Sequence, residues 1–105
     1  MAVAQNDVSN IRVQQLDNMI VITYDLAARA DIEVFVSFDG GVNYRGPLQY
    51  VTGAVGKGIF PKKDNIVMWD VMKEVGEVDY SNVVIKIVSD DVDSKPPQPG
   101  RLGLI

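Results

Sequence analysis

A chain of 105 residues, 47% hydrophobic and 23% charged, has the length of one domain and the composition of a globular one, too apolar for disorder. Its formal charge of −4 and scattered basic residues, with only Lys62-Lys63 adjacent, deny it the basic surface that nucleic acid demands. It has no cysteine and no histidine, which removes disulfides, thiolate metal sites and the commonest general base, and no apolar run approaches the about 20 residues that span a bilayer.

The first feature along the chain is Ala2-Val3-Ala4 before Gln5, the small-x-small form of a signal-peptidase site. Residues 1–7 are assigned to the remnant left after a signal peptide, against the plain alternative of a chance tripeptide. The expected location is secreted, periplasmic or cell-surface. Val8 to Gln14 is a predicted strand with Ile11 and Val13 on one side, and Leu16-Asp17-Asn18 turns the chain. Met19 to Leu26 is the strongest strand. Its Ile20, Ile22, Tyr24 and Leu26 recur at every second position, which places them on one face of a pleated backbone.

After the Ala27–Ala30 connection, the stretch Asp31 to Phe38 turns Ile32, Val34, Val36 and Phe38 inward, with Asp31, Glu33 and Ser37 outward. Asp39-Gly40-Gly41 supplies positive-φ residues for a tight hairpin. The return strand is expected from Tyr44 to Val51, bent at Gly46-Pro47. Gly53 to Lys63 reads as an irregular glycine-rich connection with room for a short edge strand near Ile59-Phe60. Asn65 to Val71 is a strand holding the only tryptophan, Trp69. Met72 to Gly76 reads as one helical turn closed by glycine, and Val83 to Ser89 as the last strand.

Six to seven short strands at hairpin spacing, with no long helix, predict an all-β, immunoglobulin-like or fibronectin-III-like antiparallel sandwich. The domain is placed at residues 8–91, with a core from Ile20, Ile22, Tyr24, Val34, Val36, Trp69, Ile85 and Ile87. Residues 92–105 read as a linker or tail, since Pro96-Pro97-Gln98-Pro99-Gly100 favours extended polyproline geometry.

Several motifs invite chemistry, and each has a plainer reading. Ser37-Phe38-Asp39-Gly40-Gly41-Val42-Asn43-Tyr44 resembles the Asp-box of sialidases and related β-propellers. In those families the box is a structural hairpin that recurs once per blade, away from the active site, and here it occurs once. Turn chemistry accounts for each matching residue: Ser37 and Asp39 bond the turn backbone, Gly41 goes left-handed and Tyr44 packs beneath. Trp69-Asp70 suggests a sugar-stacking ring, but a Trp between Val67 and Val71 is read as core packing. Asp90, Asp91 and Asp93 suggest calcium, yet match no calcium-loop spacing and read as a solvated boundary. Gly53 to Gly58 lacks the Ser or Thr of a phosphate loop. Pro96 to Arg101 has the form of an SH3 ligand and reads as linker. No cofactor and no metal is assigned.

The order of five landmarks carries a broader resemblance. They are Ile22-Thr23-Tyr24-Asp25-Leu26, Val36-Ser37-Phe38-Asp39-Gly40-Gly41, Val51 through Ile59, Ile66-Val67-Met68-Trp69-Asp70-Val71, and Val84 through Asp91. Together they resemble the Ig-like or fibronectin-III-like accessory domains of secreted Bacteroidetes-type proteins, which often precede domains related to formylglycine-generating enzymes. The resemblance implies export, a modular accessory role and no catalytic residue.

Without His or Cys, and with no carboxylate pair spaced for a shared pocket, the domain is expected not to be an enzyme. The expected role is a spacer or docking module, with a carbohydrate- or cell-surface-binding module and a domain shaping an adjacent enzyme site as alternatives. Outward positions of a sandwich should be polar, but Met19, Val21, Phe35, Val84 and Val88 are not. If their strands are neighbours, these residues form an apolar stripe. Leu102, Leu104 and Ile105, a second copy, or a downstream domain of the same chain are the expected covers.

Overall fold

The computed structural model describes residues 7–91. Alternation organises them into β1 (Val8–Leu16), β2 (Met19–Leu26), β3 (Ala30–Ser37), β4 (Val51–Gly53), β5 (Gly56–Ile59), β6 (Lys62–Asp70), the short helix α1 (Val71–Val75) and β7 (Val84–Asp91). They form two antiparallel sheets, a four-stranded one in the order β1-β2-β6-β4 and a three-stranded one in the order β5-β3-β7. Over the described residues the protein is an all-β sandwich of seven strands.

The core lies where the alternating faces meet. Ile20, Ile22, Tyr24 and Leu26 of β2, with Val67 and Trp69 of β6, face Ala30, Ile32, Val34 and Val36 of β3 and Ile85 and Ile87 of β7. Each of the eight residues expected in the core is buried. Trp69 is fully buried and stands beside Ile20 on one strand and Val51 on the other. Tyr24 buries its ring and donates its hydroxyl to the Ala54 carbonyl at 2.7 Å. Burial pushes its pKa up to about 12, so the hydroxyl stays a donor throughout the physiological range.

Local chemistry decides the breaks. The Asp70 side chain accepts from the Lys73 N–H at 3.1 Å and caps α1. Gly76, at φ 82°, ends it by bonding back to Met72 and Val71. One oxygen of Glu74 then accepts from the backbone N–H groups of Gln49 and Tyr50, both at 2.8 Å, and from Trp69 Nε1 at 3.3 Å. The helical turn thereby pins the 47–50 loop to the core. At Gly53, φ is +99° and a Cβ would run into the Ile66 carbonyl oxygen, so only glycine fits the crossing from β4 toward β5.

Three expectations change. The return strand from Tyr44 to Val51 shrinks to a bridge of Arg45 with Val36 and one bond from the Leu48 N–H to the Val34 carbonyl at 2.8 Å, with a bend at Gly46-Pro47 between them, and regular strand pairing resumes only at Val51, on β6. The stretch taken as irregular contains β5 and the start of β6. Ser37, read as outward, is fully buried, and Phe38, read as inward, is half-buried at the strand's end.

Ile22→Ala removes most of a fully buried side chain and should cost about 2–5 kcal/mol in denaturant unfolding. Glu74→Ala leaves the buried Trp69 indole N–H and the Gln49 and Tyr50 backbone N–H groups without their shared acceptor and should cost about 2 kcal/mol. The same melts followed by Trp69 fluorescence check both, and in the Glu74 variant exchange should accelerate at the Gln49 and Tyr50 amides.

Candidate functional site

The expected stripe is divided between two surfaces. The Ala27–Arg29 connection carries the chain from the four-stranded to the three-stranded sheet, so β2 and β3 are not neighbours. Outward residues of the two strands therefore point to opposite sides of the sandwich. Met19 and Val21 lie on the outer face of the four-stranded sheet. Phe35, Val84 and Val88 lie on the outer face of the other, through the pairs Phe35 with Lys86, Ser37 with Val84 and Glu33 with Val88. Leu102, Leu104 and Ile105 lie outside the described residues, as does Asp93.

On the three-stranded sheet the outer aromatic rings are already engaged, while Val84 stays exposed. The Lys86 ammonium sits 5.4 Å from the Phe35 ring centre and 4.4 Å from that of Tyr44, inside the range of a cation–π contact. Arg45 covers Phe38 in the same way at 5.6 Å. Beside them the Asp-box turn closes over Ser37. The Ser37 Oγ accepts from the backbone N–H of Gly41 at 2.8 Å and of Asp39 at 3.2 Å, and donates to the Asp39 carboxylate at 2.6 Å. Asp39 also accepts from the N–H of Asn43 at 2.9 Å and of Val42 at 3.1 Å, and from the Asn43 side chain at 2.9 Å. Ser37 stays on the outer side of β3 by alternation, and the turn folds over it.

Gly41 has the expected positive φ, +100°, and a Cβ there would meet the Tyr44 hydroxyl at 3.3 Å. The Gly40 N–H donates to the Asn82 carbonyl at 3.0 Å and ties the turn to the approach to β7. These bonds, led by the Asn43 N–H and then the Ser37 hydroxyl, hold the Asp39 pKa well below the usual carboxylate range.

The four-stranded sheet presents a different surface. Leu16 pairs with Met19, Val21 with Met68, and Thr23 with Ile66, which gathers Leu16, Met19, Val21, Ile66 and Met68 on one outer face. Leu16 and Ile66 are about half exposed, at 54% and 51%. Charge bounds the patch at both ends. At one end Arg12 bridges Asp64 at 2.9 Å and Asp25 at 3.2 Å. The Asp25 pKa is lowered, first by the Asp64 backbone N–H and then by Asn10, Arg12 and Lys63. Asp70 and Lys73 stand at the other end, beside Met19, Tyr50 and Met68. The residues missed in sequence, Leu16, Ile66 and Met68, were legible in part. Ile66 and Met68 alternate with the buried Val67 and Trp69, whereas Leu16 reads as a turn residue.

Trp69 is fully buried, which removes it as a sugar platform. Among the described residues no cluster of three or more His, Cys, Asp or Glu could hold a metal ion. Comparison with protein-family models, curated proteins and solved structures finds no match to this chain.

The depressed pKa of Asp39 has a defined sign. Folding favours its ionised form, so the stabilisation is full above the ordinary carboxylate value of 3.8 and is lost as pH falls toward the folded value. Asp39→Ala should lower the denaturant midpoint at neutral pH. Its difference from wild type should narrow as unfolding is repeated at successively lower pH below that value, and a constant difference would mean that the charge is not what stabilises the turn.

Proposed function

We propose that this chain is a non-catalytic accessory module of a larger exported protein, docking to a neighbouring domain through the outer face of its four-stranded sheet. The observation that carries the non-catalytic reading is where the perturbed ionisable groups sit. Asp25, Asp39 and Asp79 are held ionised by backbone and side-chain donors, and Tyr24 is held neutral by burial. Each shift moves its group away from neutral pH, whereas a general acid or base is tuned toward it.

The docking reading rests on five apolar side chains bounded by Arg12, Asp25 and Asp64 at one end and by Asp70 and Lys73 at the other. An apolar centre within a polar rim is the anatomy of a protein interface. The strand order β1-β2-β6-β4 follows the A-B-E-D order of immunoglobulin sheets and supports the Ig-like assignment. Export is supported by Ala2-Val3-Ala4 and by the resemblance to secreted accessory domains. The carbohydrate-binding alternative is less favoured, because Phe35, Tyr44 and Phe38 each have a cation over the ring face that a sugar would need.

The test pairs a glycan array with hydrophobic-dye titration. Ile66→Asp combined with Met68→Asp changes only exposed side chains and should abolish dye binding while leaving the thermal midpoint within a few degrees. No saturable glycan binding is expected. Binding lost on Phe35→Ala or Tyr44→Ala would replace docking with carbohydrate recognition.

A further inference from the structure

A sandwich has to protect the edges of its sheets, because an edge offers N–H and C=O groups to any other strand. Among the described residues the edge strands are β1, β4, β5 and β7, and three of them carry a protecting feature. β4 is three residues long and ends on Gly53. β5 is short and sets Lys57 between two glycines. β7 has Lys86 near its middle and Asp90 and Asp91 at its end. β1 is the exception. It is nine residues long, and a bulge between Ser9 and Arg12, with Asn10 at φ 53°, interrupts only its first part. From Arg12 to Leu16 it runs in regular register with β2, and no described strand pairs with its other side. The one charge in this stretch, Arg12, is turned back onto its own sheet by Asp25 and Asp64.

Hairpin geometry assigns the groups along that edge. Asp17-Asn18 is a two-residue turn between the paired Leu16 and Met19, and the residues flanking such a turn bond each other. Bonding to β2 then alternates through Leu16, Gln14 and Arg12, which leaves the N–H and C=O of Val13 and Gln15 on the free side. Val13 and Gln15 pair with Ile22 and Ile20, so their side chains share the inner side of the sheet. There the four-stranded sheet extends past the three-stranded one. Val13 is 47% exposed and, like Ile11 at 40%, lies outside the buried cluster. An open backbone edge and an uncovered apolar margin coincide on one strand.

We propose that β1 is a dimerisation edge, pairing antiparallel with β1 of a second copy about a two-fold axis at Gln14. Val13 of each copy exchanges both its outward backbone bonds with Gln15 of the other, and the Gln15 side chain lies against Val13 on the inner face. This register sets Arg12 opposite Leu16 and beside Asp17 of the other copy's turn, so the charges that meet are opposite in sign and like charges do not face each other. Gln14 faces its own equivalent, an amide that both donates and accepts. The edge is thus complementary to itself, as a two-fold contact requires, and that is why the occupant is a second copy. The axis stands perpendicular to the sheet, so the outer faces of both copies lie on one side of a sheet continuous through the dimer. Dimerisation leaves the proposed docking faces open and sets two of them side by side, and it does not depend on their having a partner.

Sedimentation of the full chain tests it. Between about 10 μM and 1 mM, the range of weak complexes with small interfaces, the mass should rise from that of one chain to that of two. Gln15→Pro removes an N–H that faces solvent in the single chain, where an edge strand tolerates proline, and should weaken association about tenfold or more by removing half of the backbone bonds. Gln14→Lys and Gln14→Glu change an exposed side chain and set like charges together at the axis. Each should weaken association alone, and mixing the two variants should restore it. The Val13 and Gln15 amides should gain exchange protection with concentration, in step with the mass. A chain that stays monomeric at the highest concentration would overturn the proposal, and so would a dimer that Gln15→Pro and both Gln14 substitutions leave intact. Loss of the dimer only in the Ile66→Asp, Met68→Asp variant would overturn it too, by placing the contact on the outer face.

Discussion

The fold depends on β2 and β3 turning their alternating faces toward each other. Ile20, Ile22, Tyr24 and Leu26 need a dry surface, and so do Ile32, Val34 and Val36. Two strands joined by a two-residue hairpin would have placed both sets on one face of one sheet, leaving that face to be covered by something else. The Ala27–Arg29 connection instead crosses the sandwich, and each set covers the other. Burial of a single large aliphatic side chain stabilises by roughly 1.5–3 kcal/mol, so this crossing commits most of the driving force at once. The positions of β6 and β7 then follow, since Val67 and Trp69 extend one face and Ile85 and Ile87 the other.

The same crossing explains why the core was legible in the sequence and the surface was not. Period-two alternation shows which residues share a face within a strand. It does not show which sheet a strand joins. Val34 and Val36 could therefore be assigned to the core from the sequence alone, while Met19 and Phe35, both correctly placed outward, could not be assigned to opposite sides. The Asp-box was legible because its chemistry is local: Ser37, Asp39 and Gly41 act within five residues of one another. The burial of Ser37 was not, since it comes from the turn folding over the end of the strand. Glu74 left no signal at all. Its partners Gln49 and Tyr50 are 25 and 24 positions away, and it occupies no position of a capping box.

Two kinds of polar group emerge from the hydrogen bonding. Those that shape loops are saturated: Asp39 at the turn, Glu74 under the 47–50 loop and Tyr24 against Ala54. Those at the rim of the apolar patch remain at the surface, where Arg12 and Asp64 have side chains 45% and 69% exposed. Exposed ion pairs of this kind contribute little to stability, typically under about 1 kcal/mol. Their effect is to bound the patch, since a charge that must stay hydrated cannot be covered by an apolar partner.

Two groups of residues on the four-stranded sheet set local pattern against tertiary environment. On its inner side Ile11 and Val13 carry a core pattern without core burial; on its outer side Leu16, Ile66 and Met68 carry apolar side chains into solvent. On the three-stranded sheet the departures sit at one end, at Ser37, Phe38 and Val84. Such conflicts, when the rest of a fold is consistent, are where a sequence serves something other than its own folding. The two sites differ in what satisfies them. The inner one, Ile11 and Val13, lies on the edge strand β1, where the four-stranded sheet extends past the three-stranded one. The outer one lies chiefly on β2 and β6, which at Val21 and Met68 are each bonded to strands on both sides, so it offers side-chain surface of the kind that interfaces cover.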